Sequence, residues 1–157
     1  MALKRTTGDL LKFAEKGKFD IIVQGCNCFC TMGSGIARQI RESYPGAYEA
    51  DKTTTAGDKS KLGTYTKYDT RKNFTIVNGY TQYAFNRGGA TDDVFEYAGF
   101  YELLLRLAED FPGKKFGFPC IGMGLAGGDP ERIIPMLEDF AVLIESTGGS
   151  ATLVEFK

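Results

Sequence analysis

Twice in this chain an apolar, strand-like run leads through a glycine-rich turn into a helix-like stretch. The first unit covers residues 19–44. Phe19-Asp20-Ile21-Ile22-Val23 runs into Gly25-Cys26-Asn27-Cys28-Phe29-Cys30, then Met32-Gly33-Ser34-Gly35, then Ile36, Ile40 and Tyr44 at four-residue spacing. The second covers residues 115–145, where an apolar run to Ile121 meets Gly122-Met123-Gly124-Leu125-Ala126-Gly127-Gly128 and Asp129-Pro130 opens a helix. Glycine lets the main chain turn sharply and lets a ligand approach it closely. The unpaired N–H groups of a first helical turn favour an anion. One such turn is a weak signal. Two in one short chain predict a ligand with two phosphates, one loop on each side.

The rest of the chain supplies alternating strands and helices. A strand is expected over residues 2–6, a helix over 11–16 closed by Gly17, and a strand over 19–24. Pro45-Gly46 breaks the helical pattern after the first loop, and a second helix covers 47–53. Residues 56–61 read as a polar surface loop, with Lys59 and Lys61 solvated. Residues 64–68 and 74–80 form a hairpin, followed by a mobile loop over 82–93. Gln82 and Tyr83 end the hairpin, with a lid as the sharper reading. A helix is expected over 94–110, with Tyr97, Tyr101, Leu104, Leu105 and Ala108 on one face; Leu104, Leu105 and Ile133 are expected in the core. Then come a strand over 115–121, a helix over 133–145 and a last strand over 151–156. This alternation predicts a single α/β domain over 1–157, with a mixed, mostly parallel sheet and helices on both faces. Ligands in such sheets sit beyond the carboxyl ends of the strands, where both glycine loops fall.

Composition narrows the chemistry. The 157 residues are 43% hydrophobic and 13% aromatic, enough for a proper core. The formal net charge is −1 and no basic patch is present, which argues against duplex nucleic acid as a partner. No apolar run approaches the ~20 residues of a membrane span, and residues 1–11 lack the apolar core of a signal peptide. A cytosolic monomer is expected. Three of the four cysteines, Cys26, Cys28 and Cys30, alternate around Asn27 and Phe29, which is not the paired spacing of a zinc ribbon. Strand alternation would put them on one face as small buried residues, a reading ranked ahead of metal or redox chemistry. The chain has no histidine, which removes imidazole bases, Ser-His-Asp or Cys-His catalysis and His-ligated metals. No metal and no cofactor are expected.

Taken together, Gly8-Asp9-Leu10, the strand ending near Asn27, the loop Met32-Gly33-Ser34-Gly35-Ile36 and the late loop resemble the macrodomain pattern over nearly the whole chain. The run from Cys26 to Tyr48 looks most like the branch of the yeast ADP-ribose 1″-phosphate phosphatase and the terminal ADP-ribose protein glycohydrolase, in its phage and bacterial form. The resemblance implies a three-layer α/β/α fold with a cleft for ADP-ribose or ADP-ribose 1″-phosphate. It implies that Asp9 accepts from the adenine amino group and that the Leu10 N–H meets the ring. Asn27 faces the distal ribose. Met32, Gly33, Ser34, Gly35 and Ile36 form the first phosphate loop. Pro119, Ile121, Gly122, Met123, Gly124, Leu125, Ala126 and Gly127 form the second, around the diphosphate and distal ribose. Main-chain amides and helix ends can hold such a diphosphate without net basic charge.

The chain departs from the family where catalysis is concerned. Ile36-Ala37 stands where many hydrolytic macrodomains carry an aspartate. Gln24 stands where the yeast phosphatase has a histidine. Residues 74–80 lack the glycohydrolase branch's strand lysine, and Ala126 replaces a common aromatic. Asn27 and Asp129 are the candidate catalytic residues, although Asp129 before Pro130 is also an ordinary N-cap, as Asp9 is for its helix, and Asn27 could equally satisfy a strand end. Phosphate removal from ADP-ribose 1″-phosphate is the leading expectation. Hydrolysis of ADP-ribosyl esters and non-catalytic nucleotide binding are the alternatives.

Overall fold

The structure is a computed structural model and describes residues 2–33, 35–84, 94–124 and 126–156. One sheet holds β1 (Leu3–Gly8), β2 (Ile21–Cys26), β3 (Tyr65–Asp69), β4 (Thr75–Tyr80), β5 (Lys115–Phe118) and β6 (Ser150–Phe156). The α-helices are α1 (Leu10–Glu15), α2 (Gly35–Ser43), α3 (Pro45–Lys52), α4 (Tyr97–Asp110) and α5 (Pro130–Glu145). The strand order is β1-β6-β5-β2-β4-β3, parallel throughout except for the β3–β4 hairpin. Helices α1, α2 and α3 cover one face; α4 and α5 cover the other. This is the mixed, mostly parallel three-layer architecture expected.

The central strands are apolar on both sides because both faces are covered. Val23, Val77, Phe116 and Phe118 meet Phe100, Leu103, Leu107, Ile133, Leu137 and Phe140 on one face. Ile22 and Ile76 meet Leu10, Leu11, Ile40, Tyr44 and Ala47 on the other. Each such fully buried side chain contributes roughly 1.5–3 kcal/mol relative to exposure.

The topology places the site. From β2 the chain crosses by α2 and α3 toward β4; from β5 it crosses by α5 over the opposite face toward β6. Since β2 and β5 are neighbours, their connections part in opposite directions and leave a crevice beyond their carboxyl ends. That is a topological switch point, where open α/β sheets bind ligands.

Several sequence expectations are corrected. Residues 94–96 are extended rather than helical: the Val94 N–H donates to the Ala126 carbonyl (2.9 Å) and the Glu96 N–H to the Thr81 carbonyl (2.7 Å). Tyr101 and Leu105 are 55% and 45% exposed, and the buried stripe of α4 is Phe100, Leu103, Leu104 and Leu107. Pro45 starts α3, where its missing N–H costs nothing. The fifth strand ends at Phe118, before Ile121. Lys61 is not solvated: it closes a 3₁₀ turn (Lys59–Lys61) and is only 6% exposed. The cysteine alternation does not follow a strand, because β2 stops at Cys26 and Cys30 has a left-handed backbone (φ +60°). Among the described residues no helix is long and apolar enough to cross a membrane. The expected mobile loop lies largely outside the described residues.

Candidate functional site

Loop 1 leaves β2 through a turn that Asn27 closes. Its Nδ2 donates to Thr31 Oγ1 (2.7 Å), and its Oδ1 accepts the Phe29 N–H (2.8 Å). Asn27 therefore satisfies the backbone at a strand end. Met32 is fully buried against Cys26, Cys28 and Tyr80 and anchors the loop. Beyond it the chain opens. A Cβ at Gly33 or Gly35 would meet nothing within 4 Å, and Gly35 enters α2 in a left-handed conformation (φ +58°). The N–H groups of Gly33, Gly35 and Ile36 donate to no acceptor among the described residues. Ser34 lies outside those residues.

Loop 2 folds back on itself. After the Pro119 carbonyl accepts from the Ile121 N–H (2.6 Å), the Met123 N–H donates to Cys120 (3.2 Å), Gly127 to Gly124 (3.0 Å) and Gly128 to Gly122 (2.8 Å). Gly122 has φ +75°, and any Cβ there would strike the Phe95 ring. The N–H groups of Gly122, Gly124 and Ala126 remain without an acceptor among the described residues; Leu125 lies outside them. The Ile121 side chain stands over Gly25, where a Cβ would be 3.1 Å from Ile121 Cγ1. Loop 2 thus starts over the tip of β2, beside loop 1.

Both flanking aspartates are caps. Asp9 Oδ1 accepts the Lys12 N–H (3.2 Å) at the head of α1. Asp129 Oδ1 accepts the Glu131 N–H (2.9 Å) at the head of α5. In each, the second carboxylate oxygen accepts nothing among the described residues. The Asp129 N–H donates to Tyr97 Oη (2.9 Å), and Arg132 lies over the Tyr97 ring at 3.6 Å. Because β1, β6, β5 and β2 are parallel, Asp9 and Leu10, loop 2 and loop 1 all line one edge of the sheet. A separate concavity of about 280 Å³ lies at the opposite pole, among Asp20, Asp69, Asn73 and Lys114.

Beneath loop 1 lies a buried polar bed that sequence reasoning missed. Gln24 Nε2 donates to Asn78 Oδ1 (2.8 Å), and Asn78 Nδ2 donates to Thr66 Oγ1 (3.0 Å). Tyr80 Oη sits 3.0 Å from Thr66 Oγ1 and donates to Asp51 Oδ1 (2.7 Å). Burial pushes the Asp51 carboxyl and the Tyr80 phenol up. It does the same to the Cys26 and Cys28 thiols. Gln24 is 1% exposed and is held in this bed by Asn78. The one sequence signal for this bed is the four-residue step from Ala47 to Asp51, which puts both on the inner side of α3.

Two glycine loops at adjacent parallel strand tips, each with main-chain amides that have no acceptor among the described residues, define a nucleotide-type anion cleft in an α/β sandwich. The macro domain family model matches residues 23–137, and the chain belongs to that family. It is 35% identical over 154 residues to a 17.5 kDa protein of the tk-vs intergenic region of Enterobacteria phage T4, covering 92% of this chain and 94% of that one. Its fold matches the macrodomain of Mycobacterium tuberculosis DarG (TM-score 0.74, 20% identity, 97% and 96% of the two chains). It also matches a Trypanosoma brucei macrodomain solved with ADP-ribose (TM-score 0.70, 12% identity, 99% and 63%).

Proposed function

We propose that the chain binds ADP-ribose along this edge and removes the 1″-phosphate from ADP-ribose 1″-phosphate. The carrying observation is the set of loop amides at Gly33, Gly35, Ile36, Gly122, Gly124 and Ala126, none of which has an acceptor among the described residues. The ADP-ribose complex of the Trypanosoma brucei macrodomain, which shares the fold, supports the ligand. The two loops grip the diphosphate, while the unused Asp9 oxygen and the Leu10 N–H meet the adenine. The terminal phosphate then lies against loop amides that stabilise charge growing on its oxygens. Water attacks phosphorus, the P–O bond to the ribose breaks, and the 1″ oxygen leaves as a hydroxyl by taking a proton from solvent. The free Asp129 oxygen accepts the water's proton. With no histidine and Asn27 tied into its turn, turnover is slow.

A second reading, hydrolysis of an ADP-ribosyl ester at C1″, draws on the same free Asp129 oxygen. Calorimetry with ADP-ribose tests the binding; a flat titration overturns it. Phosphate release from ADP-ribose 1″-phosphate supports the first activity. Release of ADP-ribose from a modified carboxylate without phosphate release replaces it with the second.

A further inference from the structure

The bed under loop 1 holds a cation and a nucleophile that the proposed reaction does not use. Lys61 is 6% exposed. Its Nζ donates to Thr54 Oγ1 (2.8 Å) and lies 3.7 Å from Cys30 Sγ. It also sits 5.1 Å from the centre of the Tyr80 ring. No carboxylate approaches Lys61 within 4 Å among the described residues. The nearby Asp51, fully buried, gives Oδ1 to Tyr80 and leaves Oδ2 without a partner. A buried ammonium ordinarily takes a charged counterpart, and the nucleophilic side chain within reach of this one is the Cys30 sulfur.

We propose that Cys30 and Lys61 are an oxidative coupling site: a hydroperoxide converts them into a covalent sulfur–nitrogen cross-link. In the first step the Cys30 thiolate attacks a peroxide oxygen and the O–O bond breaks. With hydrogen peroxide, sulfur is oxidised by two electrons to the sulfenic acid and the departing oxygen takes a proton to become water. In the second step Lys61 Nζ gives up a proton and its lone pair attacks sulfur. The S–O bond breaks, the hydroxyl leaves as water by taking one proton, and the other N–H remains on the new S–N bond. A thiol reductant reverses the change by attacking sulfur and returning the amine. Cys30 is half-buried, and burial of Lys61 keeps the amine in place beside it.

The consequence rests on the reading of loop 1 as a phosphate loop. Cys30 lies two residues before Met32, in a left-handed conformation, with its sulfur also 3.4 Å from the Asp51 carbonyl and 3.4 Å from Thr54 Oγ1. Tying its sulfur to the 3₁₀ turn pulls on the segment that presents Gly33 and Gly35. The coupling is expected to weaken ADP-ribose binding about tenfold.

The test treats the full chain with hydrogen peroxide, digests it and reads peptide masses. The expected product joins the Cys30 and Lys61 peptides two hydrogens lighter than their sum, disappears with dithiothreitol, and is absent from Cys30→Ser and from Lys61→Arg, which keeps the charge. Lys61→Met repeats the test should the arginine not fit the bed. Persistence of the cross-link in both lysine variants overturns the proposal. So does a Cys30 peptide found as a free sulfinic acid or as a disulfide, or a cross-link heavier by one oxygen. A cross-link that leaves ADP-ribose affinity unchanged overturns the regulatory consequence. Failure of the reduced protein to bind ADP-ribose overturns the functional reading and leaves the cross-link standing.

Discussion

The two glycine loops offer the same kind of donor but are held in different ways. Loop 2 carries its own scaffold: three of its N–H groups bond within the loop or its flank, and the Phe95 ring fills the space against Gly122. Loop 1 is closed at its base by Asn27, but from Gly33 outward it has no internal bond among the described residues. Its shape comes from Met32 below it and from the polar bed under Met32. One loop is set by local turns and sterics; the other by packing of Met32 on Tyr80, far along the chain. Damage to loop 2 should therefore show as lost stability, and damage to the outer part of loop 1 as lost affinity.

Gly122→Leu breaks the comparison most forcefully. A side chain there meets Phe95 and must hold φ +75°. Left-handed strain of roughly 1–2 kcal/mol adds to an overpacking cost of about 1–3 kcal/mol. The expected loss is several degrees to tens of degrees in Tm by calorimetry or circular dichroism. An unchanged Tm would show that loop 2 is as loosely held as loop 1.

Gly33→Val is the opposite experiment. The position has open space and no positive φ, so the fold should change by no more than about 0.5 kcal/mol. A ligand phosphate held by neighbouring amides would be pushed away. Losing one or two charge-assisted hydrogen bonds costs roughly 3 kcal/mol, about a hundredfold in Kd by calorimetry. Full affinity in this variant would remove loop 1 from the site.

This contrast also explains what could be read in the chain. Strand–loop–helix order, the parallel sheet and the position of both loops were legible, because glycine punctuation and hydrophobic period are local signals. The bed under loop 1 was not. Lys61 sits in a run of Lys, Ser and Asp that reads as solvated, and only the tertiary approach of Thr54, Tyr80 and Cys30 buries it. Residues 94–96 were misread for the same reason: their pattern continues the helix, but hydrogen bonds to Thr81 and Ala126 hold them extended.

Acid–base behaviour sharpens the distinction next. Asp51 is pushed up by burial, ahead of the lowering effects of Tyr80 and Lys61. A carboxyl whose folded value is raised stabilises the fold fully below its unfolded value, about 4. That contribution is lost as pH rises through the folded value. Asp51→Asn should remove this slope, so its stability relative to the parent improves as pH rises above about 4. Asp69 on the outer hairpin runs the other way. Bonds from Thr75 and Lys67 hold it down, so its contribution is present at neutral pH and is lost as pH falls below about 4. Parallel stability curves for Asp51→Asn and the parent would show that the bed carries no buried charge.

The smallest effect separates the two capping aspartates. Asp9→Ala and Asp129→Ala each remove one side-chain bond to a helix N–H, at 3.2 Å and 2.9 Å. Each should cost about 1 kcal/mol of stability, so Tm alone cannot tell them apart. Function can. If the free oxygen of Asp9 meets the adenine, Asp9→Ala weakens ADP-ribose binding with little effect on kcat. If the free oxygen of Asp129 takes a proton from water, Asp129→Ala lowers kcat and leaves ADP-ribose affinity intact. Should both variants show only the matched loss of Tm, each carboxylate is a cap alone. Hydrolysis would then rest on loop amides and solvent, the least chemistry with which this cleft could still turn over a phosphate.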